Sequence, residues 1–100
     1  MAGDVRMGNR QTLIDRSVAE ISTRLAALDD DRRRMFVDWL QAHRREAAPI
    51  SDATVKDRLT TWFEGLTEEG ILRECRLILN EIDWWRDLDD GLLAEIMAAG

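Results

Sequence analysis

The sequence predicts an all-α protein, a single compact bundle of about five helices. Apolar residues recur at helical spacing along nearly the whole chain, and no segment shows the alternation of a strand. Residues that cap helices stand between the periodic segments. With 100 residues, of which 45% are hydrophobic and 34% charged, the chain suits one folded domain spanning residues 1–100.

The first two helices are defined by their apolar faces. Thr12 and Asp15 resemble a capping box, so we expect helix 1 to run from about Gln11 to Leu28, preceded by a flexible N-terminus at residues 1–10. Its apolar face consists of Ile14, Val18, Ile21, Leu25 and Leu28. Helix 2 begins in "LDDDRRR", since carboxylates are favoured at a helix start, and must end before Pro49. Its apolar side carries Met35, Phe36, Trp39, Leu40 and His43.

Helix 3 is bounded by Ser51, a good N-cap residue, and by Gly65, which is typical of a helix C-terminus. Its apolar face is formed by Val55, Leu59, Trp62 and Phe63. Thr67 starts helix 4, whose apolar stripe is wide enough for a central element of the bundle. That stripe contains Ile71, Leu72, Cys75, Ile78, Leu79, Ile82 and Trp85.

A short helix 5 follows, with Asp89 as its cap. Leu88 and Leu93 are spaced for a hydrophobic staple across that cap. The remaining apolar residues of helix 5 are Leu92, Ile96 and Met97.

Two adjacent tryptophans in "NEIDWWRDLDD" raise the question of a binding surface. Neighbouring helix positions point about 100° apart, so one core-facing stripe cannot easily bury both. Trp85 lies at the edge of the main stripe of helix 4, whereas Trp84 joins Leu77 and Leu88 in a second, narrower stripe. Either another helix of this chain or another molecule covers that second stripe. We predict that Trp85 is structural and that Trp84 anchors a partner.

Carboxylates surround Trp84 and suggest how a partner would approach. They would steer a basic surface towards the tryptophan and would be sensitive to salt. Asp89 has a competing role as a helix cap. The predicted partner-binding residues are Leu77, Glu81, Asp83, Trp84, Asp87, Asp89 and Asp90.

Charge is distributed unevenly along the chain. Residues 1–50 contain nine basic and eight acidic residues and have a net charge of +1. Residues 51–100 contain five basic and twelve acidic residues and have a net charge of −7. The C-terminal half would repel a polyphosphate backbone, so we expect no direct binding of nucleic acid. Acidic composition also serves solubility, which is the simplest alternative explanation.

Residues suited to catalysis are few. His43 is the single histidine and lies beside the apolar face of helix 2, and Cys75 lies in the middle of the helix 4 stripe. No metal-spaced Cys/His cluster and no glycine-rich phosphate loop occurs, and "DDD" at 29–31 lacks the glycine of a calcium loop. We therefore expect a protein that is not an enzyme and needs no metal or cofactor.

The cellular location follows from similar absences in the sequence. One cysteine precludes an internal disulfide, which fits a reducing cytoplasm. No apolar run approaches the roughly 20 residues that span a bilayer, and "MAGDVRMGNRQ" lacks the apolar core of a secretion signal. A cytoplasmic protein without a membrane association is expected.

A DNA-binding regulator or a phage packaging protein is the main alternative function. The stretch "PISDATVKDRLTTWF" resembles the second half of a helix-turn-helix motif, and the arginines of "DRRRM" and "AHRRE" could contact phosphates. However, the preceding helix is too long for that motif, and "EAAPI" replaces its glycine-bearing turn. Asp52 and Asp57 also offset Lys56 and Arg58.

The chain also resembles a known class of phage proteins. It is short, acidic and helical throughout, with one lysine and many arginines. In these properties it is similar to the small anti-CRISPR proteins that inhibit the type I-F surveillance complex. The resemblance implies a stoichiometric, non-catalytic inhibitor that acts in the host cytoplasm, binds the RNA-guided complex and blocks target-DNA binding. It assigns no roles to individual residues, and it leaves the binding subunit and the oligomeric state open.

Overall fold

Five α-helices and a short 3-10 turn form the protein in the computed structural model, which describes the backbone of residues 2–99 and their side chains except those of residues 2–8 and Asp52. The helices are α1 (Ala2–Ala26), α2 (Asp30–Arg44), α3 (Val55–Glu64), α4 (Glu68–Asp87) and α5 (Asp90–Ala99), and the 3-10 turn Asp52–Thr54 precedes α3. No strand occurs in the described part of the chain. The all-α prediction is confirmed.

The core lies between α1, α3 and α4, with α2 packed against α4. The predicted face of α1 is buried in full, from Ile14 at 1% exposure to Leu28 at 4%. Phe36, Phe63 and Ile78 are each completely buried, so α2, α3 and α4 meet in one continuous apolar interior. This burial of apolar surface is the main stabilising term of the fold.

The start of α1 differs from the prediction. The helix begins at Ala2 instead of Gln11, and Thr12 lies inside it. The expected cap is absent because the helix continues towards the N-terminus. The backbone N–H groups near Thr12 therefore bond to carbonyls of the preceding helical turn and need no capping side chain. Arg10 fastens this extension to the bundle by donating to the carbonyl of Leu66 at 2.8 Å and to that of Glu64.

The helix starts predicted at Thr67 and Asp89 are confirmed, and Asp29 caps α2 within the predicted start "LDDDRRR". Ser51, predicted as the cap of helix 3, precedes the 3-10 turn instead. The Asp29 carboxylate accepts from the backbone N–H of Arg32 at 2.8 Å, and the Thr67 hydroxyl accepts from that of Gly70 at 3.1 Å. Asp89 accepts from the N–H of Leu92 at 2.8 Å. These bonds satisfy backbone donors that have no partner within their own helix, which explains why the sequence located these boundaries.

Two assignments to the faces of helix 4 are wrong. Leu72, expected in the core stripe, is 50% exposed because α1 and α2 cover a narrower arc of α4 than the apolar residues span. Leu88, expected beside Trp84, is buried. It follows the last residue of α4 and its backbone is extended, so the helical angle that placed it near Trp84 does not apply.

Arg32 joins α2, the end of α4 and the start of α5. Its guanidinium donates through Nε to the carbonyl of Trp85 at 2.8 Å and through Nη2 to the carbonyl of Leu88. It also contacts the carboxylates of Asp29 and Asp90, which raise the pKa of Arg32 further above its ordinary value. Arg32 thus satisfies carbonyls at the C-terminus of α4 and fixes the direction of the chain into α5.

The cap of α2 predicts a dependence of stability on pH. The Arg32 backbone N–H, assisted by the Arg32 guanidinium, lowers the pKa of Asp29 below its ordinary value. The stabilisation is therefore complete above the unfolded pKa of about 3.9 and is lost as pH falls through the lowered folded value.

Asp29→Asn should abolish this contribution, because asparagine also caps helices but carries no charge. Urea denaturation from neutral pH to about pH 3 should show the free energies of unfolding of the two proteins converging with acidification. A difference that stays constant with pH would contradict the proposed role of the charge.

The molecule is elongated, with extents of 55 × 28 × 20 Å and a radius of gyration of 15.1 Å. A spherical domain of this length would have a radius of gyration of about 13 Å. The elongated shape leaves one side of α4 uncovered. None of the helices in the described residues is long and apolar enough to cross a membrane.

Candidate partner-binding surface

The outer side of α4 is an exposed strip that mixes apolar and basic residues. Three large apolar side chains lie on it with half or nearly half of their area exposed: Leu72 at 50%, Leu77 at 40% and Trp84 at 50%. We call this strip the α4 surface. It consists of Leu72, Arg73, Arg76, Leu77, Asn80 and Trp84.

The adjacent tryptophans have opposite environments, as their helical angles predicted. Trp85 is 6% exposed and belongs to the core, whereas Trp84 is 50% exposed. Their rings meet edge to face, with centroids 4.9 Å apart and planes at 88°. Trp84 is therefore held on one side by Trp85 while much of its ring remains open to solvent. Presenting such a rigid aromatic group is the usual way in which a surface anchors a partner.

A groove of about 620 Å³ lies along the N-terminal half of this surface. Leu72 and Leu77 supply apolar walls, and Asn80 closes its C-terminal end. Its charged lining comes from Glu69, Arg73, Glu74 and Arg76. A groove of this composition can accept apolar side chains from another protein while its rim selects their neighbours by charge.

The charged groups in this groove differ in their contacts. Glu74 is hydrogen-bonded to His43 at 3.0 Å, and Glu69 lies in the first turn of α4, where the helix dipole favours a carboxylate. Arg73 and Arg76 have no ion-pair partner among the residues that the structure describes. The protein has a net charge of −6, so these two arginines are, within the described part of the chain, unpaired positive charges on an otherwise acidic molecule.

Most of the carboxylates predicted to steer a partner contact this chain itself. Asp83 turns away from Trp84 and binds Arg24 of α1 at 2.9 Å, and it also pairs with Arg86. Asp89 caps α5, and Asp90 accepts from Arg32. The positions of Asp83 and Asp90 around their helices do not reveal these two ion pairs, because Arg24 and Arg32 are distant in sequence.

The other predicted residues remain on or beside the α4 surface. Leu77 and Trp84 share one side of α4, since seven residues make about two helical turns. Glu81 is partly buried beside them. Asp87 is exposed and pairs with Arg86 at 3.0 Å, and that guanidinium lowers the pKa of Asp87 below its ordinary value. The structure therefore brings together Leu77, Glu81, Trp84 and Asp87 and assigns the other three acids to the fold.

The single histidine is part of an aromatic stack between α2 and α3. The His43 ring lies 4.9 Å from that of Trp39 with planes at 5°, and it meets Trp62 edge-on at 5.9 Å. Arg44 covers the Trp62 ring at 4.0 Å. These contacts give His43 a packing role. Cys75 is partly buried and lines a shallow pocket beside Leu72, so it lies at the edge of the core stripe instead of its middle.

Comparison of the chain with protein-family models, with curated proteins and with solved structures yields no match. The residues described here also form no group of three or more histidine, cysteine or carboxylate side chains that could hold a metal ion.

Sequence reasoning missed Arg73 and Arg76 as members of the exposed surface. Neither arginine is among the predicted partner-binding residues, and Leu72 belongs to the predicted core stripe. Counting acids three or four residues away finds Arg76, which has none, but not Arg73, because Glu69 is four residues before it. In the structure Arg73 pairs with neither neighbouring acid, and Glu74 contacts His43 instead.

Proposed function

We propose that this protein acts without catalysis, by binding another protein through the α4 surface. The observation that carries the proposal is the half-exposed Trp84, which packs against the buried Trp85 and lies on the same side of α4 as Leu77. Large apolar side chains exposed together on one helix face are characteristic of interaction sites.

The partner we propose is the type I-F CRISPR surveillance complex, whose binding of target DNA the protein would block as a stoichiometric inhibitor. The support is the resemblance in length, acidity and helical character to the small anti-CRISPR proteins. The net charge of −6 would attract the protein to a surface that otherwise holds nucleic acid, since such surfaces are basic. Because Arg73 and Arg76 make the α4 surface itself basic, the contact there would depend on Trp84 and Leu77.

The first test is Trp84→Ala, for which we expect an intact fold and weakened partner binding. Removing an exposed side chain costs the fold little, whereas loss of an interface anchor costs about 2 kcal/mol or more of binding free energy. Binding of the purified complex, measured by surface plasmon resonance, should weaken roughly 30-fold.

The matched control is Leu92→Ala, which removes an exposed apolar side chain of α5, away from the α4 surface. It should leave affinity for the complex unchanged, provided that circular dichroism shows a folded protein. Equal affinity of the wild type and Trp84→Ala would place the partner on another face. No binding by the wild type would refute the proposed partner, and a pull-down from the natural host would then identify the actual one.

Binding of DNA through α3 is the second candidate function. Thr54, Lys56 and Arg58 could read or contact a duplex at the start of that helix. Opposing this role, the connection from Arg44 to Val55 is longer than the about 3–4-residue turn of a helix-turn-helix motif, and Arg58 pairs with Glu46 at 3.4 Å. A gel-shift assay with random duplex at low salt should show no complex; a shift abolished by Lys56→Glu would favour this function instead.

A further inference from the structure

We infer that the α4 surface also pairs with itself, so that two copies of the chain associate through antiparallel α4 helices. This inference concerns the same surface as the proposed function but goes beyond it, because self-pairing requires no other protein. A two-fold axis beside Asn80 would relate the two copies. Such an interface is isologous: each residue on one copy meets its counterpart on the other in both directions.

The order of residues along α4 is complementary to its own reverse. Arg76 and Trp84 are each four residues from Asn80, on opposite sides, and therefore about 6 Å from it along the axis. Arg73 and Asp87 are each seven residues from Asn80, or about 10.5 Å. When two helices run antiparallel about Asn80, Arg73 of one copy is level with Asp87 of the other and close enough laterally to reach it. Arg76 is level with Trp84 but lies across the interface from it, because the two-fold axis keeps each residue on its own side.

The same residues also share a direction. With a rotation of about 100° per residue, Arg73, Arg76, Trp84 and Asp87 all lie within about 40° of Asn80 around the helix. A strip this narrow can face a single partner helix. Leu77 lies about 60° from Asn80, on the same side as Trp84, so the Leu77 of one copy would flank the Trp84 of the other.

Each pairing is chemically favourable. The Trp84 ring of one copy packs against Leu77 of the other, which removes apolar area of both side chains from water. Arg73 and Asp87 would form an ion pair, and two asparagine amides can each donate to and accept from the other. Arg73 is exposed and has no ion-pair partner within the described residues, so its guanidinium is available for the ion pair with Asp87.

Pairing would not disturb bonds that the fold requires. Asp87 is exposed and is bound only through Arg86, which retains Asp83 at 3.2 Å if Asp87 turns outward. Leu77 and Trp84 are among the four large apolar residues most exposed in the described chain, and pairing would cover both. Because the dimer occupies the α4 surface, binding of another protein there would compete with self-association.

Sedimentation velocity and charge reversal test this inference without any other protein. At low salt and rising concentration, the wild type should reach twice the 11.5 kDa of the single chain. Arg73→Glu and Asp87→Arg should each weaken self-association about tenfold or more, because like charges then face each other. An equimolar mixture of the two variants should associate, and the double variant R73E/D87R should recover self-association. Both positions are exposed, and circular dichroism should confirm unchanged helicity.

Oxidative cross-linking supplies a second measurement. In a Cys75→Ala background, Asn80→Cys should form an intermolecular disulfide rapidly, since facing antiparallel helices bring these backbones within the about 7 Å that a disulfide spans. Asp38→Cys, exposed on α2, is the matched control and should not cross-link. The inference would be overturned if the wild type stayed monomeric at every concentration, or if neither charge reversal weakened the dimer. Either result would leave the proposed binding of another protein intact.

Discussion

Trp85→Ala is expected to be among the most destabilising single substitutions in this protein, lowering the free energy of unfolding by about 3–5 kcal/mol. Trp85 is 6% exposed and packs at the end of the core where α2, α4 and the segment leading to α5 meet. Its removal leaves a cavity the size of an indole ring, which this region cannot close because Arg32 fixes the surrounding backbone. Thermal unfolding followed by circular dichroism should show the melting temperature falling by roughly 15–30 °C.

Two variants control for this prediction. Trp84→Ala removes the same group one position away and should shift the free energy of unfolding by under about 1 kcal/mol, because half of its ring is already in solvent. Trp85→Phe should be mild as well, since it keeps an aromatic ring and removes Nε1, which is buried without a hydrogen-bond partner in the described structure. Greater loss of stability in Trp84→Ala than in Trp85→Ala would mean that α4 is rotated about its axis relative to the structure.

Arg32→Met should also produce a large loss of stability, and the loss should be concentrated at the junction of α4 and α5. The substitution keeps an unbranched side chain but leaves the carbonyl of Leu88 without its guanidinium donor, and it leaves the carbonyl of Trp85 with only the Leu88 N–H at 3.3 Å. Buried carbonyls that lose a partner incur the full cost of their desolvation. We expect a lower melting temperature and faster hydrogen exchange of the α5 amides, because α5 buries only Leu93 fully and relies on this junction for its position.

Arg34→Met is the matched control for this substitution. Arg34 is two residues away on the same helix, its side chain is 64% exposed, and its ion pair with Asp31 is a surface contact of little energetic value. It should unfold close to the wild-type temperature. Arg32→Lys should be intermediate, since an ammonium group cannot span acceptors that a planar guanidinium reaches together. If Arg32→Met and Arg34→Met melt alike, the junction does not depend on the guanidinium.

The candidate site could be predicted from the sequence only where local geometry decides it. The opposite environments of Trp84 and Trp85 follow from the angle between adjacent helix positions, as does the shared side of Leu77 and Trp84. The steering role proposed for Asp83 and Asp90 could not be judged this way. Both carboxylates contact arginines more than fifty residues earlier in the chain, so only the packing of α1 and α2 reveals those bonds.

The sequence by itself determined the helical class, the order of the helices and the caps at Asp29, Thr67 and Asp89, because these depend on spacing and on hydrogen bonds within a few residues. Tertiary structure decided what distant segments do to one another. It buried Arg32 as the clamp on α4, extended α1 to Ala2 and limited the covered arc of α4, so that Leu72 became part of an open surface. Helical periodicity reports which side chains share a face; it contains no information on which faces the rest of the chain will cover, and that determines where a partner can bind.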